Sequence, residues 1–164
     1  SFAEATTPQS VKLSLQTGVA PNWLVFGSVE WTDWSQIQQI QVYSEAGVLA
    51  PISVPITGVS IDAFFRDGWT VSGGVGHKFN DKLSGLVSLT WDRGVSEGAN
   101  VSTFSDTWTV AAGVAYDVNS VVSLRGGLAY SRLESITAVD LSGNVEAFDT
   151  DHAIAGAFSL NAKF

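Results

Sequence analysis

Three residues near the C-terminus are of the types that perform nucleophilic hydrolysis. Asp151, His152 and Ser159 could supply the acid, base and nucleophile of a catalytic triad. The surrounding residues alternate between apolar and polar, which predicts a β-strand, and adjacent strand residues point to opposite faces. Asp151 and His152 would then face apart, so the sequence predicts neither a triad nor an enzyme.

Metal and cofactor chemistry is also unsupported by the residue types. The chain has no Cys, which excludes disulfides, thiolate metal sites and a cysteine nucleophile. Asp149 and Asp151 share one face and could hold a cation in a loop, but two solvated loop carboxylates are the better interpretation. His77 falls near a predicted turn, where we expect an interfacial residue. Because no His or carboxylate cluster has metal-ligand spacing, we predict no metal and no cofactor.

Composition indicates one domain, 1–164, with few charges for its apolar content. The 164 residues are 45% hydrophobic and 15% charged, against about 25% charged in a typical soluble domain. The net charge of −8 argues against nucleic-acid partners, since phosphates are bound by clusters of Lys and Arg. No apolar run reaches the roughly 18 residues of a transmembrane helix.

Apolar residues instead recur at every second position, which predicts strands with one apolar face and one mixed face. In the last segment the apolar face comprises His152, Ile154, Gly156, Phe158, Leu160, Ala162 and Phe164, and the mixed face comprises Ala153, Ala155, Ala157, Ser159, Asn161 and Lys163. The same alternation recurs in 11–16, 69–79, 83–92, 109–118 and 122–131. We predict about seven strands of roughly 10 residues, which is the length that crosses a bilayer when tilted.

Short and long connections alternate between these strands. The tight turns are 20–22, 80–82 and 119–120, and the long connections are roughly 35–66, 94–106 and 134–150. Outer-membrane β-barrels alternate short periplasmic turns with long extracellular loops in this way. Segments 67–80 and 106–119 also echo each other, each running from an Asp-x-Trp-Thr-Val start to an Asn, which supports a repeated hairpin.

Aromatic residues fall at two levels along the predicted strands. Those near the long connections are Trp69, Trp91, Trp108 and Tyr130, and those near the tight turns are Phe79, Tyr116 and Phe164. Membrane proteins carry such aromatic girdles at both interfaces. The patterns together predict an all-β, antiparallel, up-and-down transmembrane barrel in a bacterial outer membrane, with the apolar face towards lipid and the mixed face towards the lumen.

The charged residues of the mixed face have two interpretations. They are Lys12, Glu30, Lys78, Asp92, Asp117 and Arg125. Because both signs are interleaved, ion pairs across the interior wall are the favoured interpretation. The alternative is that Lys12 and Arg125 steer a carboxylate through the pore.

Apolar residues also occur where polar ones are expected. Leu24, Phe26 and Leu86 fall on the mixed face, where they either pack against a plug or line a path for an apolar solute. The stretch 47–56 is unusually apolar for an extracellular loop. Leu49 and Ile52 in this stretch could capture substrate at the outer mouth, and the alternative is a loop that folds over the mouth and packs there.

The strand count predicts a part of a larger barrel. If Phe164 ends a strand at the turn side, about seven strands place residue 8 on the loop side, whereas single-chain bacterial barrels have an even strand number and two periplasmic termini. An open sheet edge in lipid would leave backbone groups unpaired. Either upstream strands complete the wall or the count is wrong by one strand. Because an eighth strand inside 35–66 would break the alternation of short and long connections, we expect upstream strands.

Four short motifs carry a family resemblance. They are Glu30-Trp31-Thr32-Asp33-Trp34-Ser35, Pro8-Gln9-Ser10-Val11 at a strand start, Asp106-Thr107-Trp108 before a Gly-rich strand, and the closing Phe164. With these the chain resembles, over nearly its whole length, the FadL/TodX family of outer-membrane transporters for long-chain fatty acids and other hydrophobic compounds. The resemblance implies the C-terminal half of the family's fourteen-stranded barrel. The family's N-terminal hatch, which plugs the lumen, and its strand with a lateral opening have no counterpart in this sequence.

The resemblance implies passive uptake: capture at the outer mouth, diffusion to a lumen pocket, and release after the plug shifts. The implied partners are outer-membrane lipid and lipopolysaccharide, a hydrophobic small-molecule substrate, and missing N-terminal strands with their plug. One alternative is a small structural or adhesive barrel without transport, which would have to fill its interior with side chains, whereas the predicted lumen residues are mostly small. Another is a barrel lipase or protease, against which the missing triad weighs.

Overall fold

The computed structural model describes residues 2–4, 7–36, 39–43, 59–62, 65–96, 103–139 and 143–162. Its strands, in chain order, are β1 (Phe2–Glu4), β2 (Ser10–Ala20), β3 (Trp23–Thr32), β4 (Gln39–Tyr43), β5 (Val59–Asp62), β6 (Gly68–Lys78), β7 (Leu83–Arg93), β8 (Thr107–Asp117), β9 (Val122–Leu133), β10 (Ile136–Val139), β11 (Val145–Phe148) and β12 (Asp151–Ala162). A single turn of 3-10 helix, Trp34–Gln36, follows β3.

Seven long strands form one antiparallel sheet in the order β12-β9-β8-β7-β6-β3-β2. Each strand therefore pairs with the long strands that precede and follow it along the chain, as in an up-and-down barrel wall. The strands contain 10 to 12 residues. At about 3.3 Å per residue they span roughly 33–40 Å, which is enough to cross a hydrocarbon layer of about 30 Å at a tilt. The predicted number, length and arrangement of strands are confirmed.

Strand register confirms the assignment of the two faces. Residues directly opposite each other on paired strands project to the same side. Val75 lies between Val25 and Val87 on the apolar face. Thr109 pairs with Thr90 and Ser131 on the mixed face. The alternation read from single segments is thus continuous across all seven strands.

The sheet is a single layer without a packed core. Among the described residues, Ala138 is the only buried apolar one. The large side chains of the apolar face are exposed, up to 81% for Ile154 and 75% for Leu13. A soluble antiparallel sheet buries its apolar face against another layer. Because no second layer occurs in the described part of this chain, the apolar face needs an apolar surrounding from outside.

Asparagine side chains close two of the tight turns. The Oδ1 atom of Asn80 accepts hydrogen bonds from the backbone N–H groups of Lys82 and Leu83, both at 2.9 Å. Asn119 accepts in the same way from Val121 and Val122, both at 2.8 Å. The sequence echo between 67–80 and 106–119 therefore corresponds to two hairpins closed by the same device. The remaining turn has Asn22 with a positive φ of 66°.

We call the end of the sheet that carries the three tight turns the turn end, and the end that carries the long connections the loop end.

Five short strands accompany the seven long ones: β4, β5, β10 and β11 lie in long connections at the loop end, and β1 precedes β2. β1, β4 and β5 form a separate three-stranded sheet, and β10 pairs with β11 as a hairpin. None of these strands joins the seven-stranded sheet, so the predicted alternation of short turns and long connections holds. The outermost long strands are β2 and β12, and each pairs with one neighbour in the described part of the chain.

Candidate functional site

Three of the six charged residues of the mixed face, Lys12, Glu30 and Asp92, have side-chain partners at the loop end. Lys12 Nζ lies 2.9 Å from Glu30 Oε2 across the β2–β3 pair. Asp92 accepts a hydrogen bond from the Thr70 hydroxyl. These contacts agree with the favoured interpretation, in which the charged residues form ion pairs and hydrogen bonds along the interior wall. Lys12 is thereby placed in a cross-strand pair, away from the other predicted substrate-path residues.

The apolar residues Leu24, Phe26 and Leu86 form a continuous patch on the mixed face, which we call the apolar patch. Leu24 and Leu86 lie on either side of Gly76, since both pair with it in register. Phe26 on β3 pairs with Gly74, which lies on β6 like Gly76. Because glycines separate them, side chains from β3 and β7 converge over β6 without an intervening side chain.

The position of the Phe26 side chain in this patch requires a glycine at position 74. A Cβ atom at Gly74 would lie 2.5 Å from Phe26 Cζ and 2.6 Å from the Val87 carbonyl oxygen. At Gly76 the nearest atoms would be 3.7 Å away, an ordinary contact distance. The Phe26 ring therefore lies directly over the Gly74 backbone. The sequence analysis missed this role of the glycines, although their spacing on β6 could have indicated it.

A cavity of about 720 Å³ lies against the apolar patch near the turn end. Its lining includes all three residues of the apolar patch together with Ser84, Lys78 and Arg125. The structure thus brings together four of the predicted substrate-path residues, Leu24, Phe26, Leu86 and Arg125. Lys12 is not among the lining residues. Ligand pockets of about 300–1,000 Å³ with apolar walls and a few polar groups are typical of small-molecule sites.

Arg125 is the cation of this cavity that lacks an acidic partner. It is exposed on β9 between Ala115 and Ser159, and it forms no ion pair with any residue that the structure describes. Lys78 is held by Asp81, with Nζ 2.7 Å from Oδ1. This pair lowers the pKa of the Asp81 carboxyl through the hydrogen bond and the charge of Lys78. An anion in the cavity would therefore meet Arg125 before any other uncompensated charge.

A second, more polar cavity of about 730 Å³ continues from Arg125 to the turn end. It is lined by Asp117, Asn161 and residues of the β8–β9 turn. Arg125 thus stands at the boundary between an apolar and a polar compartment. That position suits the head group of an amphiphile whose tail lies on the apolar patch.

The histidines occupy the apolar face, one near each end of the strands. The His77 ring lies 4.2 Å from the Trp23 ring and 4.9 Å from the Phe79 ring, near the turn end. Its Nδ1 atom is buried and has no hydrogen-bond partner in the described part of the chain. The surroundings are those of the interfacial residue that the sequence predicts.

The residues of the hypothetical triad do not meet. His152 pairs with Arg132 on the apolar face, whereas Asp151 and Ser159 lie on the mixed face opposite Leu133 and Arg125. His152 Nδ1 instead lies 2.7 Å from the Tyr130 hydroxyl. Within the described ranges no group of three or more His, Cys, Asp and Glu side chains could hold a metal ion.

The motif 30–35 builds the loop end of β3. Trp31 Nε1 donates a hydrogen bond of 3.1 Å to Asp67 Oδ2. Asp33 accepts hydrogen bonds from the side chains of Ser35 (Oγ) and Gln36 (Nε2), both at 2.6 Å, in the helical turn that follows. The Trp34 ring covers Gly68, where a Cβ would lie 2.9 Å from Trp34 Cδ1. In the contacts that the structure describes, this motif therefore stabilises the loop end of β3.

The motif 106–108 begins a second junction at the loop end. Asp106 accepts a hydrogen bond from Arg66 Nη2 at 3.1 Å and from the Gly94 N–H at 3.1 Å. Arg66 Nε also donates to the Gly94 carbonyl oxygen. The junction joins the two ends of the β7–β8 connection to the end of the connection that precedes β6. The sequence analysis did not identify it, because its residues come from two connections that are far apart in the chain.

The candidate capture residues Leu49 and Ile52 lie outside the residues that the structure describes. No helix in the described ranges has the length and apolar content needed to span a membrane.

Comparison with known proteins identifies the fold. No protein-family model matches the sequence, and no curated protein matches it. The structure is similar to the crystal structure of a Pseudomonas aeruginosa FadL homologue, with a TM-score of 0.69 and 23% sequence identity. The similarity covers 94% of this chain and 35% of that chain, so this chain spans about a third of the length of the protein it matches. The predicted resemblance is confirmed at the level of fold: the seven-stranded sheet is a FadL-like β-barrel wall.

Proposed function

We propose that this chain forms part of an outer-membrane channel through which hydrophobic small molecules pass without energy input. The observation that supports this most is the apolar patch of Leu24, Phe26 and Leu86 on the mixed face. A channel for ions or sugars would carry polar side chains there. An apolar wall with one uncompensated cation suits a greasy solute with an anionic end.

The faces and ends of the sheet give the proposed orientation. The apolar face contacts lipid, the mixed face lines the lumen, the loop end is extracellular and the turn end is periplasmic. In lipid the free edges of β2 and β12 must be paired, because unpaired backbone groups in hydrocarbon cost several kcal/mol each. We infer that further strands complete the wall and that a plug occupies the lumen. Lipid and lipopolysaccharide would surround it.

Long-chain fatty acids are the proposed substrates. The carboxylate would bind Arg125, since arginine pairs with carboxylates through two parallel hydrogen bonds. The hydrocarbon tail would then lie along the apolar patch towards the loop end. Loop residues Leu49 and Ile52 would capture the substrate before it enters. No chemical step is involved, so the proposal is one of transport and not of an enzyme.

Uptake of a labelled long-chain fatty acid into liposomes that contain the complete protein tests the proposal. Leu86→Ser and Phe26→Ser should each slow uptake, because they place a hydroxyl in the apolar wall. Ser88→Ala serves as the control, since Ser88 lies on the same face of β7 but outside the cavity lining. Liposomes with wild-type protein that take up no more fatty acid than empty ones would reject the proposal in favour of a structural or adhesive barrel.

Arg125→Gln separates the role of the head group from that of the tail. It should slow uptake of the fatty acid and leave uptake of a neutral hydrocarbon of the same length unchanged. Equal effects on both substrates would show that Arg125 does not recognise the carboxylate.

A further inference from the structure

Three residues form a row across neighbouring strands on the apolar face at the loop end. Trp108 on β8 pairs in register with Arg132 on β9, and Arg132 pairs with His152 on β12. Residues in direct register project to the same side of the sheet. An arginine thus stands between an indole and an imidazole on the face that is otherwise made of large apolar side chains. We call these three residues the cationic row.

The cationic row has donors that the described contacts do not use. The side chain of Arg132 is 52% exposed. Its one ion pair, with Glu134, is long at 3.5 Å and is open to solvent. The His152 ring stacks on Tyr130, with centroids 5.6 Å apart, and its Nδ1 is engaged by the Tyr130 hydroxyl. Nε2 is then the nitrogen of His152 that remains for a ligand.

Below the row, towards the turn end, the same three strands present large apolar side chains beside Tyr130 and Tyr116. Ile154 is 81% exposed, Phe158 73% and Leu128 67%. These are among the most exposed apolar residues of the described sheet. Leu128 packs over Gly156, where a Cβ atom would lie 3.1 Å from Leu128 Cδ2, and Phe158 contacts the position above Gly126 at 3.9 Å. The surface therefore combines a polar upper edge with an apolar area.

A charged side chain on the lipid face of a barrel is tolerated near the interface and costly at the bilayer midplane. Arg132 lies at the loop end, so it meets lipid head groups in the proposed orientation. Arginine binds phosphate through two parallel hydrogen bonds. Indole side chains also prefer the interface. The ligand that matches both parts of this surface is therefore an anion that carries apolar chains.

We propose that the cationic row binds the phosphate of a phosphorylated glycolipid in the leaflet at the loop end. Arg132 and His152 Nε2 contact the phosphate, Trp108 flanks it, and the acyl chains lie on Leu128, Ile154 and Phe158. The inference goes beyond substrate passage and rests only on the proposed membrane orientation. The negative charge of Glu134 repels the phosphate, so the affinity is lower than Arg132 would give without this neighbour.

Native mass spectrometry of the complete protein, titrated in detergent with diphosphoryl lipid A, tests the inference. We expect a bound lipid whose affinity falls roughly fivefold in Arg132→Gln, since a basic residue contributes about that factor to the binding of anionic lipid. Arg132→Lys should restore part of the affinity, and Glu134→Gln should raise it. Lys82→Gln, which removes the same charge at the turn end, should leave it unchanged.

Two results would overturn the inference. One is equal binding of diphosphoryl lipid A and of phosphate-free dioleoylglycerol to the wild-type protein, which requires no variant to fold. The other is an unchanged affinity in folded Arg132→Gln or His152→Gln. Because binding is measured without transport, failure here is distinguishable from failure of the uptake proposal.

Discussion

Phe26 and Gly74 face each other on neighbouring strands, and a Cβ atom at position 74 would lie 2.5 Å from the Phe26 ring. This contact fixes the ring in the apolar patch that we propose as the substrate path. It also makes the shape of the lumen depend on a residue that has no side chain. The shape of the wall and its proposed function are therefore testable at the same position.

Gly74→Ala should destabilise the protein by about 1–3 kcal/mol, the usual cost of overpacking a tight contact. The added methyl group would meet both the Phe26 ring and the Val87 carbonyl oxygen, and a backbone atom cannot move aside as a side chain can. Gly76→Ala is the matched control, because its nearest atoms are 3.7 Å away. Urea unfolding in lipid vesicles, followed by tryptophan fluorescence, measures the difference. Equal stabilities of the two variants would contradict the described contact.

Asn119→Ala should lower the free energy of unfolding by about 1 kcal/mol, the typical net value of a neutral hydrogen bond. The substitution removes the oxygen that accepts two backbone N–H groups in the β8–β9 turn, and water can replace part of that interaction. Asn119→Asp retains an acceptor oxygen and should be closer to the wild type. The same unfolding measurement decides between them. An Asp variant as unstable as the Ala variant would show that the acceptor is not what matters.

The carboxyl of Asp33 should titrate below its ordinary pKa of 3.8, because Ser35 and then Gln36 donate hydrogen bonds to its charged form. Its contribution to stability is therefore present above the unfolded pKa and is lost as pH falls through the folded pKa. Ser35→Ala should move the pKa of Asp33 back towards 3.8. A carbon-detected NMR titration in micelles measures it. Asp81, whose pKa is lowered by Lys78 at the other end of the sheet, is an internal control that should not change.

Leu49→Ser combined with Ile52→Ser should slow fatty-acid uptake while the barrel still assembles. The reason is the predicted capture of apolar substrate by the stretch 47–56, which lies in the long connection before β6. Liposome uptake measures transport, and heat-modifiable migration on a gel measures assembly. Ser53→Ala in the same stretch is the control. Unchanged uptake in the double variant would reject capture and favour a loop that packs over the mouth.

Much of this architecture could be predicted from single segments of the chain. Alternation with a period of two identified the strands and sorted their residues between faces, because each strand touches two different surroundings. The alternation of short and long connections gave the up-and-down order. Asn80 and Asn119 were recognisable as turn residues, and the structure shows that both close hairpins by accepting from the following backbone.

The sequence by itself determined which residues share a face; only the tertiary structure decided which of them meet. Leu24 and Leu86 converge over Gly76 because the register between β3 and β6 places them there. That register spans the long connection 33–67, so no tight turn fixes it and no local pattern reveals it. Lys12 and Arg125 also looked equivalent in the sequence, since both are cations on the mixed face. Pairing then gave Lys12 an acidic neighbour in Glu30 and left Arg125 at the edge of an apolar cavity.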